Sequence, residues 1–162
     1  MSFLTREEIE EITRNFVETR IIPAMQERSV DGVHCHVVVL DPAISYHKGI
    51  TLGEAIAYEQ TVKLDEEDFK YPFDRIARSK AAISFQHGLP SRVVVQTMPH
   101  LLRLGDTIYG GSVVLHGLIV AISGFDEWDD ESFSGQLAYE LWRKSMAKLN
   151  ALRKANHDFV TY

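Results

Sequence analysis

The sequence predicts an α+β protein in which long helices at both ends flank a mainly antiparallel sheet. Three observations carry this expectation. Apolar side chains recur at helical spacing near the start and in the last third of the chain. A dense β-branched run, "VVV" (37–39), lies within the stretch 33–40. Residues 109–124, "YGGSVVLHGLIVAISG", form an apolar run opened by two glycines, interrupted by His116-Gly117 and closed by Ser123-Gly124. The 162 residues suffice for a single domain, expected over 1–162, with a core that needs no covalent staples.

The first helix follows from Thr5 as N-cap, with Glu7 and Glu8 in the first turn and Ile9, Ile12 and Phe16 on one face. Pro23 should kink or end its regular part, with 24–28 forming a last turn. A strand is expected over 33–40, closed by Asp41-Pro42, and a second over 44–50. The polar, acidic stretch 51–71 reads as an exposed connection with at most a short helix. Over 72–88, Pro72 suits the first helical position and Gly88 a left-handed C-terminal cap, and Pro90 prevents continuation. The inner face of this helix, Ala77, Ala81 and Ser84 beside Ile76 and Phe85, is small enough to lie close to a sheet or a ligand. Residues 91–97 read equally as a strand or as a short helix that their β-branched side chains disfavour. Residues 109–124 form a β-hairpin turning near His116-Gly117. The last helix carries Ala138, Leu141, Trp142, Ser145, Leu149 and Leu152 on one stripe, acidic "DEWDDE" before it and basic residues towards its end.

Composition narrows the function. The 45% hydrophobic and 25% charged fractions are those of an ordinary globular chain. A formal charge of -6 and a pI near 5.6, with the positive residues dispersed, argue against nucleic acid and against a membrane surface as partners. A small molecule or another protein is expected. The opening "MSFLTREEIEEI" lacks the basic-then-apolar order of a signal peptide, so a cytoplasmic location is the expectation. Cys35 is the one cysteine, which leaves no intrachain disulfide and no thiolate-only metal site.

The sharpest local signal is "VHCHVV". On a strand, His34 and His36 project to the same face and Cys35 to the other. Two such imidazoles form half of many divalent transition-metal sites, and with Asp41 downstream the pattern resembles that of cupins, although no second cupin-type motif follows. The alternative is a pair of histidines on a half-exposed or intersubunit sheet face. His34, His36 and His116 are the candidate catalytic residues, as general acids, bases or metal ligands, with His34 and His36 the candidate metal ligands. Gly110 and Gly111 match no phosphate-loop pattern, yet their backbone N–H groups could cradle a carboxylate, so Tyr109, Gly110, Gly111 and His116 are the candidate ligand-binding residues. Tyr109, Phe125, Trp128 and Phe133 are available to wall a planar ligand, or to serve as core.

Four stretches carry a family resemblance: "IARSKAAISF" (76–85), "YGGSVV" (109–114), "HGLIVAISG" (116–124) and "DDESFSGQLA" (129–138). Their order, over about 60 residues, resembles that of the GlcG-like family, also described as haem-degrading or haem-binding-protein-S-like. The chain departs from that pattern at 41–44, where the family has D-A-G-G, after Gly111, where it has a proline, and at His116, where it has an aspartate. The resemblance implies a profilin- or PAS-like central antiparallel sheet, homo-oligomeric assembly, and association with haem or a related planar, anionic ligand; His34, His36 or His116 could supply the axial ligand that haem needs. A further likeness is to the small hydroxylaminobenzoate lyases of nitroarene catabolism, single-domain proteins of similar length. It implies an enzyme acting on a small aromatic compound, with or without a metal.

Overall fold

The computed structural model describes residues 2–27, 34–44, 46, 49–68 and 70–160. Helix α1 (Arg6–Phe16) opens with a reciprocal capping box: Thr5 Oγ1 accepts from the Glu8 N–H at 3.2 Å and the Thr5 N–H donates to Glu8 at 3.0 Å. One π turn, Val17–Ile21, joins it to α2 (Ile22–Glu27). Pro23 therefore does not end the helical run; the wider turn absorbs the interruption that its missing N–H and its ring impose.

Strand β1 (His34–Leu40) is buried along its whole length. The second strand lies later than the sequence suggests. Residues 44, 46, 49 and 50 are outside any strand, and positions 45, 47 and 48 fall outside the described residues. After the one-turn helix α3 (Leu52–Ala55), strand β2 (Ile56–Lys63) pairs antiparallel with β1, with a bulge between Val39 and Leu40. The stretch read as a connection thus supplies a sheet edge.

Helix α4 (Phe73–His87) ends on Gly88 at φ 67, as its sequence predicts. Residues 91–97 resolve as helix α5 (Ser91–Thr97), which buries Ser91 and Val94, so packing overrides the β-branched preference. Strands β3 (Ser112–Leu115) and β4 (Leu118–Ser123) form the expected hairpin, and both turn residues take positive φ, 49 at His116 and 85 at Gly117. Helix α6 (Glu127–Lys154) completes the chain.

The sheet order is β2-β1-β4-β3, antiparallel throughout, and the fold is α+β, with helices from the N- and C-terminal regions flanking the sheet. Alternation along β1 and β4 divides the interior in two. Cys35, Val37, Val39, Val120 and Ile122 pack with Ile9, Phe16, Ile21, Leu137 and Leu141 from α1, the π turn and α6. Val38, Leu40 and Ala121 pack with Ala77, Ala81 and Phe85 of α4 on the other face. The small residues of α4 allow that close approach, as the sequence implies. Among the described residues no helix is long and apolar enough to cross a membrane.

Candidate functional site

A lysine and an aspartate sit where the two layers meet. Lys80 occupies the inner face of α4 between Ala77, Ala81 and Ser84 and is 1% exposed; Asp130, in the first turns of α6, is 2% exposed. Lys80 Nζ donates to Asp130 Oδ2 at 2.7 Å and to the Ile122 carbonyl at 3.0 Å, and Asp130 Oδ1 accepts from the Phe125 N–H at 2.9 Å. The pair joins α4, the end of β4 and the start of α6. Burial pushes the Asp130 carboxyl up to about 6, against the pull of Lys80 and the Phe125 N–H.

The glycine pair makes room for this arrangement. Gly111 lies at φ 136, and a Cβ there would stand 2.7 Å from Lys80 Nζ and 2.8 Å from Asp130 Cβ. A Cβ on Gly110 would stand 2.7 Å from Arg92 Cβ. Hydroxyls fix the segment from both sides: Ser134 donates to the Gly111 carbonyl at 2.6 Å, and Ser112 Oγ contacts Ser84 Oγ at 2.8 Å and donates to the Lys80 carbonyl at 3.0 Å. Ser91 and Ser112 each donate a backbone N–H to the other's hydroxyl at 3.1 Å. The Gly110 N–H donates to Glu127 at 3.2 Å, so it serves the fold rather than standing open as a carboxylate cradle.

Above the pair opens a cavity of about 320 Å³, lined by Tyr71, Phe73, Ile76, Lys80, Tyr109, Ser123, Phe125, Asp126, Glu127 and Asp130. Four aromatic side chains wall it, the ammonium and a carboxylate form its floor, and the N-terminus of α6 supplies one side. Of the aromatic residues singled out in the sequence, Tyr109 and Phe125 line the cavity. Phe133 packs in the core against Phe16 and Phe125, and Trp128 is 63% exposed with the Arg92 guanidinium 5.1 Å from its ring centre. A larger groove of about 490 Å³ between α1 and α6 is lined mainly by solvated polar and charged side chains such as Glu11, Arg20, Arg143 and Lys144, with no buried ionisable group.

The sequence-predicted histidines fall elsewhere. His34 and His36 do share the α4 face of β1 and both are buried. His34 Nε2 contacts Asp65 at 2.9 Å. His36 Nδ1 contacts Thr61 Oγ1 at 2.8 Å and its Nε2 contacts Glu59 at 3.0 Å. Because a carboxylate only accepts, Nε2 of each ring carries a proton. Arg78 closes the network with two hydrogen bonds to Glu59, 2.8 and 2.9 Å, and this guanidinium, foremost among its surroundings, holds Glu59 below the usual carboxylate range. By register His36 is the neighbour of Ser123 on β4, so the network adjoins the cavity without lining it. Among the described residues no group of three or more His, Cys, Asp and Glu is arranged to hold a metal ion. Asp41, the carboxylate of the cupin-like pattern, lies at the far end of β1, where it accepts from the Ala43 N–H at 2.9 Å.

His116 is separated from both. It sits exposed at the hairpin tip, its ring 5.9 Å from that of Trp142, beside a depression formed with Phe3, Pro42 and Ala43. Strand β4, 6 residues and about 17 Å of rise, runs from the turn beside His116 to Ser123 at its other end. Tyr109, Gly110 and Gly111 therefore belong to the cavity region, and His116 does not join them. Burial also pushes the Cys35 thiol far above its ordinary range, which leaves it a core residue.

Lys80 and Asp130 escaped the sequence reading. The available signal was a lysine on an otherwise small, apolar helix face, three residues after Ala77 and four before Ser84. Searches of protein-family models, of curated proteins and of solved structures found no match to this chain.

Proposed function

We propose that the cavity over Lys80 and Asp130 binds a single-ring aromatic compound and carries out acid–base chemistry on it, a lyase reaction on a compound of the hydroxylaminobenzoate class. One observation carries this reading: four aromatic walls and a buried ammonium–carboxylate pair meet in one cavity, and the carboxyl has been moved to about 6. An acid or base with a pKa near the working pH exchanges protons most effectively. In this reading Asp130 takes up and returns a proton at a ring substituent, Lys80 orients it, and Tyr109 and Phe125 hold the ring.

The size of the cavity supports one ring. An apolar space of about 150 Å³ holds benzene, so a cavity of about 320 Å³ has room for one substituted ring. The histidines offered as axial ligands line other parts of the molecule. The GlcG-like resemblance supports the location, because three of its four stretches supply Lys80, Gly111 and Asp130 and the fourth supplies Ile122. It also carries homo-oligomeric assembly, which the exposed apolar side chains Leu104, Ile108 and Trp128 support.

The test is consumption of hydroxylaminobenzoate followed by chromatography. Wild type and His116→Ala should consume it at equal rates, and the Lys80→Met/Asp130→Asn double variant should lose at least about a hundredfold in rate. Equal rates in wild type and the folded double variant would overturn the proposal, as would a haem complex whose absorption band depends on His34 or His36.

A further inference from the structure

Ser123 ends β4 and is 3% exposed. Alternation along the strand places its side chain on the α4 face with Ala121, and it lines the cavity together with Lys80. The Lys80 ammonium donates at 3.0 Å to the carbonyl of Ile122, the residue just before it. The other buried serines commit their hydroxyls: Ser84 to the Leu89 carbonyl, Ser134 to the Gly111 carbonyl, and Ser91 and Ser112 each to the other's backbone N–H. Among the described residues the Ser123 hydroxyl has no such partner. A buried hydroxyl is rarely left in that state, because it has given up water without a replacement. Lys80 has a matching reserve. Two of its three ammonium protons go to Asp130 and Ile122, and one remains.

We infer, resting on the function proposed above, that Ser123 determines specificity: its hydroxyl and the remaining Lys80 proton hold the oxygen of a hydroxyl or hydroxylamino substituent on the ring. An oxygen suits both groups, since it accepts from the ammonium while exchanging a hydrogen bond with the serine. An aromatic amine serves less well, because its lone pair is drawn into the ring. A methyl group leaves both donors unpaired. The carboxylate of a benzoate-class ligand is strongly hydrated and lies at the mouth, where Tyr71 and Tyr109 are exposed.

Three probes share the carboxylate and differ only at the opposite ring position: 4-hydroxybenzoate, 4-aminobenzoate and 4-methylbenzoate. Each is titrated into wild type and Ser123→Ala while the amide resonances of Gly110, Phe125 and Glu127 are followed. Wild type should bind the hydroxyl probe about tenfold more tightly than the methyl probe, with the amine between them. In Ser123→Ala that ratio should fall to about threefold or less through weaker binding of the hydroxyl probe, while affinity for the methyl probe stays within about twofold. The variant removes a hydroxyl that serves no contact of the fold, so its urea midpoint should equal or exceed that of wild type. Equal binding of the hydroxyl and methyl probes by wild type, a ratio unchanged in the variant, or a lowered urea midpoint would overturn the inference and leave the cavity reading standing. Failure of all three probes to shift these resonances would overturn both.

Discussion

Replacing Lys80 by methionine strands Asp130, and replacing Asp130 by asparagine strands Lys80, each within an interior where both side chains are no more than 2% exposed. Breaking a buried ion pair from one side costs about 3–5 kcal/mol, because the remaining charge has lost its partner and has no water to replace it. For a chain of this size that corresponds to a fall of roughly 10–15 °C in Tm. The double variant Lys80→Met/Asp130→Asn behaves differently. It removes both charges together, the methionine stem fills the space of the lysine stem, and the asparagine oxygen still accepts from the Phe125 N–H. Burial raises the Asp130 carboxyl despite its ammonium neighbour, so desolvation outweighs the attraction within the pair. The double variant should therefore lie within about 1 kcal/mol of wild type, giving a coupling of several kcal/mol in the cycle. Urea denaturation of the four proteins at pH 7 measures this. Additive losses, or a loss below about 1 kcal/mol for either single variant, would refute the argument that the two groups form one buried unit.

Other expectations follow from the same geometry. The folded state holds the Asp130 proton up to about 6 against an ordinary value of 3.8, so this group's contribution to stability is greatest below 3.8 and is lost as pH rises towards 6. Wild type measured against the double variant should thus lose on the order of 1–3 kcal/mol between those values, and a difference that grows with pH would contradict it. Gly111→Ala should cost more than about 2 kcal/mol in urea denaturation, since its Cβ meets Asp130 Cβ at 2.8 Å from a backbone at φ 136; a neutral result would mean that α6 can move away from the strand. His36→Ala should destabilise by about 1–3 kcal/mol through Thr61 and Glu59 while ligand affinity persists, whereas His116→Ala should change stability by less than about 1 kcal/mol.

What could be read from the sequence was what short-range physics determines. Thr5 and Gly88 mark helix ends because a cap is a local hydrogen bond or a local φ, and His116-Gly117 marks a turn for the same reason. Strand β2 was hidden because it is an edge strand: Val62 is its one fully buried residue, and Glu59 and Thr61 belong to a polar network, so "IAYEQTVK" lacks an apolar alternation. Helix α5 was ambiguous because "VVV" favours a strand, and only the burial of Val94 and the serine contacts with Ser112 decide it. The same-face placement of His34 and His36 was visible from alternation, but their partners Asp65, Thr61 and Glu59 come from the misread stretch. The Lys80–Asp130 pair spans 50 residues of sequence, and no local pattern announces that two ionisable side chains so far apart will meet in the interior. The four family-like stretches carry Lys80, Gly111, Ile122 and Asp130, whereas the histidine pattern of β1 contains none of them.

The claim that this cavity is the functional site is tested most directly by mapping amide shifts of the protein on titration with hydroxylaminobenzoate. The shifts should concentrate on Phe73, Tyr109, Gly110, Phe125 and Glu127, around the cavity floor formed by Lys80 and Asp130. Shifts confined to the surroundings of His34 and Asp65, or of His116 and Trp142, would contradict it.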